Sequence, residues 1–329
     1  MKVLAPARVN LIGDHTDYTG GLVMPMAIDR YTEINGTPGG DRVHLTSFDE
    51  PEPVEMPLRI DRPQDFTPAW GRYVAGVVAE LPKPRGFSGR VTTDIPIGAG
   101  LSSSAALEVG VALALGHCGT PLELAQLCQR AENRASGVPS GIMDQLSIAS
   151  GVADHALLID CGDFSVRAVR LPVDAEIVVL FVAHRTLVGS PYADRVAECA
   201  AAEAAIGPLR HATEAQARSI ADPTARMRAM HVTSENRRVI DFAHAMEADD
   251  LRAAGALMVE GHESLRTLYN TSTTEMDAAV NRLCSTDGVY GARMTGGGFG
   301  GCVVALTEPG ALANGWVVRA VDGARIAEE

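Results

Sequence analysis

Apolar positions along this chain recur in two rhythms, one of strands and one of helices. Residues 1–12 read as a strand that delivers a polar cluster into a loop, and after the turn at Gly20-Gly21 a second apolar stretch covers 22–28. Segments 31–35 and 42–48 predict further strands with turn residues between them. Residues 70–80 have helical spacing, with Tyr73, Val74, Val77 and Val78 on one side, and 88–95 form a short alternating strand. A proline-glycine stretch then opens an alanine- and leucine-rich helix that runs to about Gly116; 121–135 predict a second helix and 139–148 the start of a third. Strand patterning returns at 156–159 and 164–171, and 176–182 form a continuous β-branched run that suits a buried strand. From about 195 to 283 the pattern is helical and charged. The end reads strand, glycine loop, strand over 289–294, 295–301 and 302–306. There is no internal repeat and no low-complexity linker, and a soft boundary near 172 divides the chain into domains 1–172 and 173–329.

Composition narrows the choice of partner. A chain of 329 residues with 46% hydrophobic content makes one large or two medium domains with a sizeable core. A net charge of −13 excludes nucleic acid or an anionic membrane as main partner, since both demand a basic footprint. An acidic protein that binds a nucleotide must concentrate positive potential locally, through backbone N–H groups, a few arginines and a metal. The six cysteines are scattered with no C-x-x-C pair, which argues for reduced thiols in a cytoplasmic protein rather than a zinc or redox site. The N-terminus does not read as a signal peptide, and the apolar helix at 104–115 is too short to span a bilayer.

Four segments carry chemistry. Ala7-Arg8-Val9-Asn10-Leu11-Ile12-Gly13-Asp14-His15-Thr16-Asp17-Tyr18 packs a cation, two carboxylates, an imidazole, an amide and a phenol together. A strand-to-loop junction does not need so many hydrogen-bonding groups; a grip on a polyhydroxylated ligand does, because each buried polar group must find a partner. In Pro96-Ile97-Gly98-Ala99-Gly100-Leu101-Ser102-Ser103-Ser104-Ala105-Ala106, glycines let the backbone approach an anion and the serines lie at a helix N-terminus, whose free N–H groups favour negative charge. It is not a Walker loop, which needs a lysine. A serine N-cap on a buried helix, with Ser102 as the cap, is the plainer account of the same residues. Gly141-Ile142-Met143-Asp144-Gln145 sets a lone Asp between apolar and amide residues, with Glu132 upstream, and Met294-Thr295-Gly296-Gly297-Gly298-Phe299-Gly300-Gly301-Cys302 is a glycine run of the kind that often serves only as a turn.

Together these segments resemble the galactokinase family of the GHMP kinases. The first is similar to that family's Gly-Arg-x-Asn-Leu-Ile-Gly-Glu-His-x-Asp-Tyr signature, the second to its Pro-x-Gly-x-Gly-Leu-x-Ser-Ser-Ala-Ala loop, and the third repeats its Gly-Ile-Met-Asp-Gln run. With the glycine run and the segments 70–77 and 231–268, the resemblance extends from Arg8 to about Leu306. It implies an α+β, two-domain GHMP kinase fold: an N-terminal mixed-sheet domain with a phosphate loop, a C-terminal α/β sandwich, and the active site between them. The implied reaction is ATP + D-galactose → ADP + galactose 1-phosphate. Asp144 would stand against the attacking hydroxyl with Arg8 beside it, and Asp14, His15, Asp17, Gly141 and Tyr192 would bind the sugar. Gly98, Gly100, Ser102, Ser103 and Ser104 would surround the ATP phosphates, with Ser104 and Glu132 holding Mg2+. Trp70 would flank the adenine or pack in the core. The implied partners are the sugar and ATP, with neither nucleic acid nor membrane, for a cytoplasmic monomer or weak homodimer.

The chain departs from the family pattern in places. Asp14 stands where the family carries the longer Glu, Ala193 replaces the Asn that follows the sugar-binding tyrosine, and Arg185-Thr186-Leu187 replaces a His-Ser-Leu pattern. These changes leave phosphoryl transfer intact and bear on the sugar. The alternatives are a kinase of the same superfamily for arabinose, galacturonate or an amino sugar, or a galactose/ATP sensor without turnover. Arg8, Asp144 and the uninterrupted serine loop speak against the sensor.

Overall fold

The computed structural model describes residues 1–184 and 190–327. The N-terminal part contains β1 (Lys2–Asn10), β2 (Leu22–Val23), β3 (Pro25–Pro38), β4 (Arg42–Ser47), β5 (Val54–Pro57), α1 (Gly71–Glu80), β6 (Phe87–Thr93), α2 (Ser103–Ala114), α3 (Pro121–Ser136), α4 (Met143–Ser150), β7 (His155–Asp160) and β8 (Val166–Arg170). The remainder contains β9 (Glu176–Ala183), α5 (Tyr192–Ile206), α6 (Glu214–Ser219), α7 (Pro223–Glu247), α8 (Leu251–Ser264), α9 (Thr274–Cys284), β10 (Val289–Met294), β11 (Gly301–Thr307), β12 (Trp316–Val318) and β13 (Arg325–Ala327).

These form an α+β molecule. A six-stranded sheet has the order β13-β1-β3-β6-β4-β5, a four-stranded sheet the order β10-β11-β9-β12, and a small sheet pairs β2, β7 and β8. Pairings are antiparallel except β4 with β6, so the first sheet is mixed. Helix α2 is apolar on nearly every side and packs on β1 and β3, as expected of a helix inside the core. Its small residues allow close approach to the sheet, with Gly110 set against Ile34. Helix α3 begins with a reciprocal cap between Thr120 and Glu123, with Pro121 in its first turn.

The period-2 rule explains β11. Cys302, Val304 and Leu306 face one apolar core, while Val303 and Ala305 face a second core formed with the helices. A strand buried on both faces reads as an unbroken apolar run. The strands expected at 22–28 and 31–35 are instead the short β2 and one long β3. Asp29 and Arg30 look like a break in the pattern, but the register shift opposite Pro6 and Ala7 accommodates them, and Asp29 accepts the Arg319 N–H at 2.9 Å. The short edge strands β5, β12 and β13 carry too little pattern to be read from the sequence.

The chain passes 172 between β8 and β9, and its last strand returns to pair with β1, Lys2 opposite Ala327 and Leu4 opposite Arg325. No helix among the described residues is long and apolar enough to cross a membrane.

Candidate active site

Each candidate residue singled out from the sequence lines one cavity of about 640 Å3 between the serine loop, the polar loop after β1 and the glycine loop after β10. Its centre is an ion pair. Arg8, only 2% exposed, points from β1 to Asp144 in the first turn of α4. Its fork is bidentate, Nε to Oδ1 at 2.7 Å and Nη2 to Oδ2 at 2.8 Å, and Nη1 donates to the Gly100 carbonyl at 2.8 Å. This geometry ties the carboxylate to the serine loop, with the helix N-terminus adding favourable potential.

Ser102 departs from the expected cap. It sits at the α2 N-terminus in the left-handed region, φ +63°, and its hydroxyl does not bond the helix. The hydroxyl donates to Asp144 instead. A non-glycine residue held in this region stores strain of a kind found at functional sites.

Ser104 Oγ donates to Glu132 Oε1 at 2.9 Å, and the other Glu132 oxygen accepts from Gln145 Nε2 at 2.7 Å. Gln145 also reaches the buried Glu108 at 3.2 Å. Burial first, then the charge of Asp144, raises the Glu132 carboxyl; burial first, then Glu132, raises Glu108 well above the carboxylate range. A hydroxyl beside a carboxyl fits Mg2+, a hard cation that takes few protein oxygens and whose own charge would favour the ionised carboxylate. Among the described residues no group of three or more His, Cys, Asp or Glu could cage a metal. A cation here would therefore take its other oxygens from phosphate and water.

On the opposite side, Asp17 reaches the cavity only because residue 141 is glycine: a Cβ there would lie 1.9 Å from Asp17 Oδ2. His15, also left-handed at φ +67°, has Nδ1 2.9 Å from the Tyr18 hydroxyl, which lies 2.7 Å from that of Tyr269. Tyr192, the first residue of α5, sets its ring 5.5 Å from that of His15. Asp14 is 1% exposed, with Oδ1 accepting the Gly296 N–H and Oδ2 an Arg293 N–H, both at 2.8 Å. Trp70 lines the cavity and also packs in the core, its Nε1 donating to the Glu52 carbonyl at 3.0 Å. The altered Arg185-Thr186-Leu187 segment lies outside the described residues.

Several polar residues around the cavity were not assigned from the sequence: Gln145, Glu108, Tyr269, Glu235 and Arg293. Arg293 alone left a signal, a charge between Ala292 and Met294 in an otherwise apolar strand.

The Asp17 carboxyl is pushed up from the ordinary 3.8 to about 7, first by burial and then by the charge of Asp144. Between these two pH values the folded protein holds a proton that the unfolded chain has released, so stability falls as pH rises and the loss is complete above about 7. Asp17→Asn, which cannot ionise, is expected to be more stable than the parent by ~1–4 kcal/mol at pH 8, and by less toward pH 5. Thermal melts of both proteins without sugar check this; a gain that does not vary with pH would rule out Asp17 ionisation as its source.

A mixed sheet carrying the serine loop, joined to a second sheet whose glycine loop lines the same cavity, is the architecture of a GHMP kinase. The family model for the GHMP kinases N terminal domain matches residues 72–152, that for the GHMP kinases C terminal matches 242–316, and the Galactokinase galactose-binding signature matches 2–38. A galactokinase from Roseiflexus sp. is 44% identical, over 93% of this chain and 83% of its own length. The Homo sapiens galactokinase is 39% identical, over 99% of this chain and 92% of its own length. The crystal structure of Lactococcus lactis galactokinase complexed with galactose superposes with a TM-score of 0.91 at 30% identity, covering 98% of this chain and 94% of that one. The chain belongs to the galactokinase family, and it is an ATP-dependent sugar kinase.

Proposed function

We propose that the enzyme carries out the galactokinase reaction, moving the γ-phosphoryl group of ATP to the anomeric hydroxyl of D-galactose to give galactose 1-phosphate and ADP. The observation that carries this reading is the Arg8–Asp144 fork, set between the serine loop and the polar loop after β1. Phosphoryl transfer asks for in-line positioning and neutralisation of spreading charge more than for covalent chemistry. Asp144 orients the anomeric hydroxyl and accepts its proton. Arg8 holds the Asp144 carboxylate in place and offsets charge on the transferring group. Backbone N–H groups at Gly98 and Gly100 and the start of α2 with Ser102, Ser103 and Ser104 receive the phosphates. Trp70, which lines the cavity, flanks the base. Asp14, His15, Asp17, Gly141 and Tyr192 hold the remaining sugar hydroxyls. Mg2+ held by Ser104 and Glu132 would supply positive charge to the phosphate oxygens. The enzyme works in the cytoplasm as a monomer or weak homodimer on two small molecules, and its acidic charge suits neither nucleic acid nor an anionic membrane.

The test is a kinase assay over galactose, arabinose, galacturonate and galactosamine, with the product's phosphate position read by NMR. Galactose is expected to give the highest kcat/KM and a 1-phosphate. A higher kcat/KM for another sugar would replace the substrate, and no ADP release with any sugar would favour a sensor.

A further inference from the structure

Arg293 is 0% exposed, in a strand whose neighbours Ala292 and Met294 belong to the apolar core. Its Nη2 donates to two carboxylates at once, Asp14 Oδ2 and Glu235 Oε1, each at 2.8 Å. Glu235, from α7, also accepts from Arg238 Nε at 2.8 Å and from the Gly13 N–H at 2.9 Å. Burial alone would raise the Glu235 carboxyl, but Arg293 and Arg238 outweigh it and hold Glu235 ionised, far below the usual range. One buried guanidinium thus joins β10, α7 and the polar loop after β1; Arg293 and Arg238 keep Glu235 low, whereas at Asp14 burial outweighs Arg293 and raises the carboxyl. Behind it, Gly261 of α8 leaves room for Nη1, where a Cβ would lie only 2.4 Å away. The Arg293 Nε and Nη1 atoms have no hydrogen-bond partner among the described residues.

Stability alone does not call for such an arrangement, because well-packed apolar residues usually serve a core as well or better than a buried ion network. What the network does is hold Asp14. Arg293 takes one carboxylate oxygen and the Gly296 N–H takes the other, so the side chain has one orientation at the cavity wall. We propose that Arg293 is a positioning residue for sugar selectivity, fixing which lone pairs of Asp14 face the sugar through a guanidinium backed by Glu235 and Gly261. This rests on the assignment of Asp14 as a sugar contact. It also gives the shorter Asp a role where the family carries Glu: the carboxylate is drawn onto the arginine rather than extended into the cavity.

The experiment compares Asp14→Asn, Arg293→Lys and Gly261→Ala in the full chain. The last variant pushes on Nη1 without removing a charge. The readouts are KM for galactose, KM for ATP, and the ratio of kcat/KM for galactose to that for each monodeoxygalactose. This ratio does not depend on the folded fraction, so a partly folded variant still reports. Asp14→Asn is expected to change the penalty at one hydroxyl. Arg293→Lys and Gly261→Ala are expected to change it at the same hydroxyl and to raise KM for galactose about 10-fold, with KM for ATP within about twofold. A purely structural role would lower melting temperature and active fraction and leave every ratio in place, which overturns the proposal. If Asp14→Asn itself leaves the ratios unmoved, the sugar assignment of Asp14 fails first and the inference falls with it. If Asp14→Asn shifts a ratio that neither other variant touches, the sugar assignment stands and only the role of Arg293 is lost.

Discussion

Asp144→Asn is expected to lower turnover by about 10²–10⁴-fold, the usual range for loss of a positioned acid–base group. The substitution keeps the shape of the side chain. It removes the charge that Arg8 grips at 2.7 and 2.8 Å and the capacity to take a proton from a sugar hydroxyl. ATP affinity should stay within a few-fold if the glycine and serine groups of the loop proposed to receive the phosphates bind as assigned, since the substitution leaves their backbone N–H groups in place. Isothermal titration with a non-hydrolysable ATP analogue, beside steady-state kinetics, separates the two quantities. The Arg8 charge left without its partner will cost stability, so kinetics should be taken well below the variant's melting temperature. Turnover within a few-fold of the parent would mean that Asp144 is a structural anion for Arg8 and nothing more.

Arg8→Lys should be nearly as severe, with kcat at saturating ATP and sugar falling by about 10²-fold or more. Lysine keeps the charge but loses the planar fork. Arg8 makes three bonds in fixed directions, two to Asp144 and one to the Gly100 carbonyl, and thereby ties the Asp144 carboxylate to the serine loop. A single ammonium can satisfy one or two of these and leaves the carboxylate free to turn. Misplacement of ~1 Å in a preorganised site is enough for a loss of this size. A kcat equal to the parent's would make Arg8 a structural arginine.

Much of this site was legible in the sequence because its donors arrive in short segments. The twelve residues from Ala7 to Tyr18 place a cation and two carboxylates on one strand and loop, whereas the serine loop reads by composition as a helix cap as readily as an anion site and takes the phosphate reading only from its resemblance. The pairing of Arg8 with Asp144 followed from resemblance, since no local pattern links positions 136 residues apart. The ties among Asp14, Arg293 and Glu235 were not legible. Arg293 and Asp14 each stand out in their own segments, but neither segment names the other as a partner, and the network exists only where β10, α7 and the N-terminal loop meet. Ser102 shows a subtler limit. A serine before an apolar helix is ordinarily a cap, and only the left-handed backbone at that position turns its hydroxyl toward Asp144. In the fold, the long apolar runs of β9 and β11 were plain, whereas β3 was split by polar residues that a register shift absorbs.

The contacts that close the sugar side, Asn10 with Thr295 and Asp14 with Gly296 and Arg293, span 279 to 285 residues of chain. Those separations matter during synthesis. At roughly 5–20 residues per second, the loop that carries Asp14 waits roughly 15–60 s on the ribosome before its arginine is made. The serine loop and Asp144 are made within the first half of that interval, and the arginine that Asp14 binds comes at its end. A product terminated shortly before Arg293 would lose the partner of Asp14 and, with β13, the strand that pairs with β1, so truncation there reaches both sheets at once.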